Sequence, residues 1–151
     1  MEIHYRRVDH RDFNELRIVA EAEARIPLEF YHRYVFAEAS IAARPEFYKQ
    51  LTEKDFFEIA VLDEAVVAFH ILRRTPYPPD LFVGSVISLW VHPDHRGRDI
   101  ARTLKLRGEA WARTKGLFFL QTHVHVDNQR MLDVNRTSGY EVAYLNLRKP
   151  L

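Results

Sequence analysis

Apolar residues along this chain recur with two periods, and the switches between them divide it into strands and helices. Ile3, Tyr5 and Arg7 alternate with His4, Arg6 and Val8, a weak strand pattern that ends in the polar turn from Asp9 to Asp12. Phe13, Leu16, Ile18, Val19 and Ala22 then fall at helical spacing behind Asp12, with Glu15 placed to complete a capping box, and Pro27 stops the helix. A second helical segment is expected from about Pro27 to Ala43. Its aromatics Phe30, Tyr31, Tyr34 and Phe36, with Val35, point in too many directions for a surface helix, so they fit either core packing or a pocket wall.

Phe57–Leu62 and Ala65–Leu72 read as strands joined at Asp63-Glu64. The segment from Arg73 to Asp80 holds Pro76, Pro78 and Pro79, which bars it from a central strand and predicts a loop. Phe82–His92 is nearly continuous in apolar residues, as for a strand covered on both faces. Ile100, Leu104, Gly108 and Trp111 recur at helical spacing up to Gly116. Leu117–Val126 reads as a further buried strand, Asn128–Ser138 as a short helix ended by Gly139, and Tyr140–Arg148 as a last alternating strand. The order β-α-α-β-β-β-α-β-α-β predicts an α/β (α+β) fold, a mixed central sheet with helices on both faces.

With 151 residues and no interdomain linker, the whole chain, 1–151, is expected to be a single domain. A formal net charge of +1 gives no global attraction to nucleic acid or membrane, so any anion site must be local. There is no cysteine, which excludes disulfides, thiolate metal sites and a cysteine nucleophile. Neither a signal-peptide pattern from Met1 to Val8 nor a membrane-length apolar run is present, and the default expectation is a cytoplasmic protein.

The chemistry concentrates between Leu89 and Thr103. An apolar strand breaks at Pro93, passes Gly97 between Arg96 and Arg98, and enters a helix near Ile100. The first N–H groups of a helix lack partners and carry partial positive charge, which suits phosphate. Further on, Thr122 and Asn128 flank the end of the next strand, and Asn135 stands one heptad beyond Asn128, ahead of Gly139-Tyr140. Leu-x-Val-x-Pro-x-x-Arg-Gly at Leu89–Gly97, followed by this asparagine pattern, resembles the GNAT (Gcn5-related) superfamily of acyl-CoA-dependent N-acyltransferases over about Gly84 to Tyr140.

The resemblance implies that the fourth and fifth strands splay apart and hold acyl-CoA in the gap. The pyrophosphate would lie on backbone N–H groups of Arg96, Gly97, Arg98, Asp99, Ile100 and Ala101, with charge from Arg96, Arg98 and Arg102, while Leu89, Trp90 and Val91 would pair with the pantetheine. Asn128 would join this cofactor set, with acetyl-CoA as acyl donor and an amine as acceptor. Gly97 keeps the backbone open to close approach. Asp99 departs from the family pattern, which has glycine there. A carboxylate about 4 Å from phosphate costs on the order of 1 kcal/mol in water and about 4 kcal/mol at an effective dielectric of 20. The exposed loop and neighbouring arginines favour the lower figure, and Asp99 could instead cap the helix that follows.

Acetyl transfer needs a neutral amine, a donor for the carbonyl oxygen and a proton for the departing thiolate. A backbone N–H near Leu89–Val91 suits the oxygen. Where the family often has a tyrosine as acid, this chain has Asn135, which donates a hydrogen bond and stabilises a thiolate but cannot protonate it. His123 is the candidate base. With His125 it would share one strand face, a spacing that also fits packed or exposed strand histidines. A metal pair lacks a third ligand, and none is expected. Glu38 and Glu58 are weaker candidates. The acceptor pocket in this family is built from segments matching Ile26–Ser40 and Tyr140–Leu147, and homodimers are common. The leading expectation is thus an N-acetyltransferase acting on a primary amine of a small molecule or polypeptide. The alternative is a non-catalytic acyl-CoA-binding or regulatory module, to which Asp99 and the missing tyrosine lend support.

Overall fold

The computed structural model describes residues 2–30 and 38–151, without the side chains of 38–40. Expectations placed on Tyr31, Tyr34, Val35, Phe36 and the Glu38 side chain lie outside the described residues. In chain order the elements are β1 (His4–Arg7), α1 (Phe13–Arg25), a 3-10 turn (Ile26–Glu29), α2 (Glu38–Lys49), β2 (Phe56–Leu62), β3 (Ala65–Tyr77), β4 (Leu81–Val91), a second 3-10 turn (Pro93–His95), α3 (Ile100–Thr114), β5 (Leu120–Gln121) and α4 (Gln129–Thr137). The sheet runs in that same strand order, with β1 to β4 antiparallel and β5 parallel to β4.

The mixed sheet with helices on both faces is as expected. Because side chains alternate across a strand, Phe57, Ile59, Phe69 and Ile71 pack with Leu16, Val19, Ala20 and Tyr48 on the α1–α2 side. Ala60, Leu62, Ala68 and Leu89 pack with Ile100 and Leu104 of α3 on the other. Asp63 and Glu64 both take positive φ (48° and 66°), as a two-residue hairpin turn of the primed type requires.

Five details differ from the pattern-based expectation. Arg73–Tyr77 is strand, not loop: β3 pairs with β4 out to Tyr77, but with β2 only as far as Leu72. Its outer edge is therefore free of the ladder there, so Pro76 costs no sheet bond, and the neighbouring Arg74 N–H donates to Asp55 Oδ1 (3.0 Å). The second helical segment is a 3-10 turn at Ile26–Glu29 and, later, a helix that runs on past Ala43 through Pro45 to Lys49. Tyr48, fully buried with its ring 5.4 Å from that of Phe57, anchors that last turn against the sheet by packing. The capping box is half made. Asp12 Oδ1 accepts from the Glu15 N–H (3.1 Å), but the Glu15 carboxylate accepts instead from the Asp9 N–H (2.9 Å) and from Arg6. Of Leu117–Val126 only Leu120–Gln121 joins the sheet. Finally, Tyr140–Arg148 forms no strand. β5 leaves the sheet after two residues, so no ladder extends to meet it, and an unpaired segment gains nothing from the strand conformation.

Candidate active site

The site originates where β4 and β5 part. They pair only at Gly84↔Leu120 and Ser85↔Gln121, fastened by Gly84 N–H to Phe119 O (2.9 Å) and Phe118 N–H to Phe82 O (2.9 Å). Contact there is close because Gly84 has no side chain: a Cβ would overlap Leu120 Cδ2 and meet Leu117 at 3.3 Å. Immediately afterwards the β3–β4 register jumps from Leu72↔Val86 to Ile71↔Ser88, which makes Ile87 a bulge. A bulge bends its strand and increases the local twist, so β4 swings away from its parallel neighbour. The gap is a cavity of about 300 Å³ with Val86–Val91 on one wall and Thr122–His125 on the other.

The β4 wall ends in the loop to α3. Gly97 (φ 76°) and Asp99 (φ 58°) both adopt left-handed backbone. Among the described residues nothing lies within 4 Å of a Cβ at Gly97, so conformation rather than crowding asks for glycine there. Asp99 occupies the N-cap position of α3, yet its side chain accepts no helix N–H, contrary to the capping alternative. The first N–H groups of α3 are thus not covered by that carboxylate. Ile100 is buried against the sheet and has only its main chain to offer. Arg96 lines the cavity, but it is engaged: Nε donates to Val91 O (2.9 Å) and Nη2 to Glu29 Oε1 (2.7 Å). The other oxygen of Glu29 takes Arg130 Nη2 (2.9 Å). Burial alone would raise the Glu29 pKa, but the two guanidinium groups outweigh it and hold the carboxyl below its ordinary value. Arg98 and Arg102 are exposed, with no partner among the described residues.

At the floor α3 and α4 approach the sheet. Asn128 caps α4 through Oδ1, which accepts the Met131 N–H (3.2 Å), leaving its Nδ2 for a ligand. Asn135 is buried, and its Oδ1 accepts from Nζ of Lys105 (2.9 Å), a lysine only 4% exposed. Nζ also lies 4.2 Å from the centre of the Tyr140 ring. Burial depresses the Lys105 pKa to about 8, against a small opposing pull from Glu109. Burial pushes the Tyr140 hydroxyl up to about 12, helped by Glu109. Behind the floor, His70 is buried with Nδ1 3.0 Å from Ser88 O. A carbonyl only accepts, so the proton sits on Nδ1. Burial lowers the His70 pKa to about 4, against the pull of that hydrogen bond, and Lys105 adds to the depression.

Of the residues expected from sequence, Leu89, Trp90, Val91, Arg96, His123, Asn128 and Asn135 line one cavity. Gly97, Arg98, Asp99, Ile100, Ala101 and Arg102 are not among the residues that line it; they follow Arg96 in sequence and lead into the start of α3. His123 and His125 do not share a strand face, since the chain has left the sheet there. His123 is exposed on the cavity wall, while His125 packs 5.2 Å from the Phe30 ring and 3.6 Å from the Asp127 carboxylate. Among the described residues no cluster of three or more histidine, cysteine or acidic side chains could hold a metal. Glu58 is outside the cavity lining and bound by Arg107, so it is no base for this site. The far wall carries Glu23 and Arg44, paired at 2.8 Å, with the buried Tyr48 hydroxyl donating to Glu23.

Sequence reasoning missed Lys105 as part of the floor, while Tyr140, expected in the acceptor segment, is met through its contact with the Lys105 ammonium. A signal was there: Lys105 stands four residues after Ala101 and three before Gly108, inside the inward arc of α3.

The family model described as the acetyltransferase (GNAT) family matches residues 17–140. No curated protein matches the sequence. Among solved structures the chain is similar to a transcriptional regulator from Bacillus halodurans C-125, with TM-score 0.77, 16% identity, and 99% and 100% of the two chains covered. It is also similar to a ribosomal-protein-alanine N-acetyltransferase from Brucella melitensis biovar Abortus 2308 (TM-score 0.72, 17% identity, both chains covered in full). A third is AAC(6')-Iy in complex with the bisubstrate analogue CoA-S-monomethyl-acetylneamine (TM-score 0.70, 17% identity, both chains covered in full). At these identities the likeness is one of fold.

Proposed function

The chain belongs to the GNAT acetyltransferase family, and on that premise we propose that it transfers the acetyl group of acetyl-CoA directly to a primary amine of a small molecule or polypeptide. The observation that carries this reading is the gap between Val86–Val91 and Thr122–His125, lined also by Arg96, four residues ahead of the start of α3. The unladdered edge of β4 at Leu89, Trp90 and Val91 suits the amide groups of pantetheine, added as a strand would be. The start of α3, from Arg96 to Arg102, suits the pyrophosphate. A backbone N–H of β4 then faces the developing oxyanion, and Asn135 stabilises the sulfur. His123, exposed on the opposite wall, receives the acceptor's proton directly or through water.

Release of free thiol from acetyl-CoA across a panel of amines, read together with thermal shift by CoA, tests the reading. Turnover with at least one primary amine is the expected result. Stabilisation by CoA without turnover would instead favour a non-catalytic acyl-CoA-binding module, and neither effect would overturn both. Asp99→Gly is expected to tighten acetyl-CoA binding about fivefold, by removing a carboxylate from the start of α3. Unchanged affinity in calorimetry would show that the side chain points away from the phosphates.

A further inference from the structure

We propose that Lys105 is the catalytic acid of this site, its ammonium protonating the departing thiolate of CoA where Asn135 cannot. The inference rests on the acetyl-transfer reading above and adds a residue to it. Among the described cavity residues that ionise, Glu29, Arg96 and Arg130 are bound to one another, and Glu23 is bound to Arg44. Guanidinium groups do not release protons near neutrality. His123 and His125 stand on the wall opposite β4. That leaves Lys105, a buried ammonium on the floor.

Its surroundings position it without neutralising it. An ammonium has three N–H donors, and the contact with Asn135 Oδ1 at 2.9 Å occupies one. The Tyr140 ring 4.2 Å away favours a cation through its π face without accepting a full proton. Facing Lys105 are Asn135 from α4, Tyr140 after it, His70 from β3 and Glu109 on its own helix. None forms an ion pair with it among the described residues. Burial, by lowering the lysine toward about 8, brings it close to the ordinary thiol range, about 8.5, where transfer to sulfur is nearly balanced.

The step balances as follows. The amine nitrogen attacks the thioester carbonyl carbon and forms the C–N bond. The C–S bond breaks with its electron pair going to sulfur, which takes a proton from Lys105 Nζ. The nitrogen's surplus proton leaves through His123 or water, and neutral Lys105 is reprotonated from solvent. The net result is an amide and a free thiol.

The test compares wild type with Lys105→Met and Lys105→Arg on an accepted amine, using acetyl-CoA and its selenium isostere, acetyl-selenocoenzyme A. A selenolate is a far weaker base than a thiolate and leaves without a proton. With acetyl-CoA, both variants are expected to lose about a hundredfold or more in kcat, and the fall in wild-type rate above about pH 8 should vanish. With the selenoester, the loss in Lys105→Met should shrink to a few-fold, and CoA should still raise the melting temperature of both variants. Equal losses with the two donors would mean that Lys105 only supports the fold of the site. Full activity of Lys105→Arg would reduce its role to charge, and no loss in Lys105→Met would remove it from the mechanism. Each of these outcomes overturns the proposal while leaving the acetyl-transfer reading intact, whereas wild type without turnover on any amine overturns both.

Discussion

The meander β1–β4 and the C-terminal segment from Leu117 onward both carry runs of apolar residues, and they end in opposite states. In β2 nearly every side chain is buried, because each strand of the meander finds an antiparallel neighbour and helices cover both faces. In the C-terminal segment the ladder stops at Gln121, and Val142, Tyr144, Leu145 and Leu147 are each at least 78% exposed. An apolar run therefore becomes a strand only where a neighbouring edge is there to pair with it. The withdrawal of β5 from β4 also opens the cavity, so the looser region is where the candidate site lies.

Four substitutions or conditions sharpen this contrast. Phe57→Ala, in the meander, is expected to cost about 3–5 kcal/mol in chemical denaturation, because Phe57 is fully buried against Tyr48. Gly84→Val, at the seam, should cost about 1–3 kcal/mol by forcing Leu120 and Leu117 away. If it were neutral, the close approach of β4 and β5 would not be needed. His70 makes the meander sensitive to acid. Its folded pKa of about 4 lies below the ordinary 6.5, so between those values the unfolded chain binds a proton that the folded chain refuses. Stability should then fall as pH drops through that window, by at most about 1.4 kcal/mol per pH unit, and His70→Gln should flatten this part of the profile. Leu147→Ala, in the C-terminal segment, should stay within about 0.5 kcal/mol of wild type; a larger loss would mean that the segment is packed in solution.

The same contrast explains what was legible in the sequence. Local rules sufficed for α1 behind Asp12, for the Asp63-Glu64 hairpin, and for α3 and α4 with their glycine stops, since each depends on residues a few positions apart. Residues 73–77 were misread because the rule against proline in sheets holds only where both edges are paired, and the end of β2 at Phe56 lies outside any local window. Tyr140–Arg148 was misread for the complementary reason: its alternation is sound, but its partner edge is missing. The cavity walls could be named from motif spacing. Its floor could not, because Lys105 meets Asn135 across thirty positions of sequence.

Glu29 gives one of its oxygens to Arg96 and the other to Arg130, and so joins the turn after α1 to both sides of the cavity mouth. A phosphate that takes the place of Glu29 on either arginine displaces a carboxylate already there. Binding through these side chains is therefore an exchange of one anion for another, and its free energy is a difference between two charge-assisted contacts. An exchange leaves the count of neutralised charges almost unchanged, so added salt should weaken this contribution far less than it weakens contacts made by Arg98 and Arg102, which have no partner among the described residues.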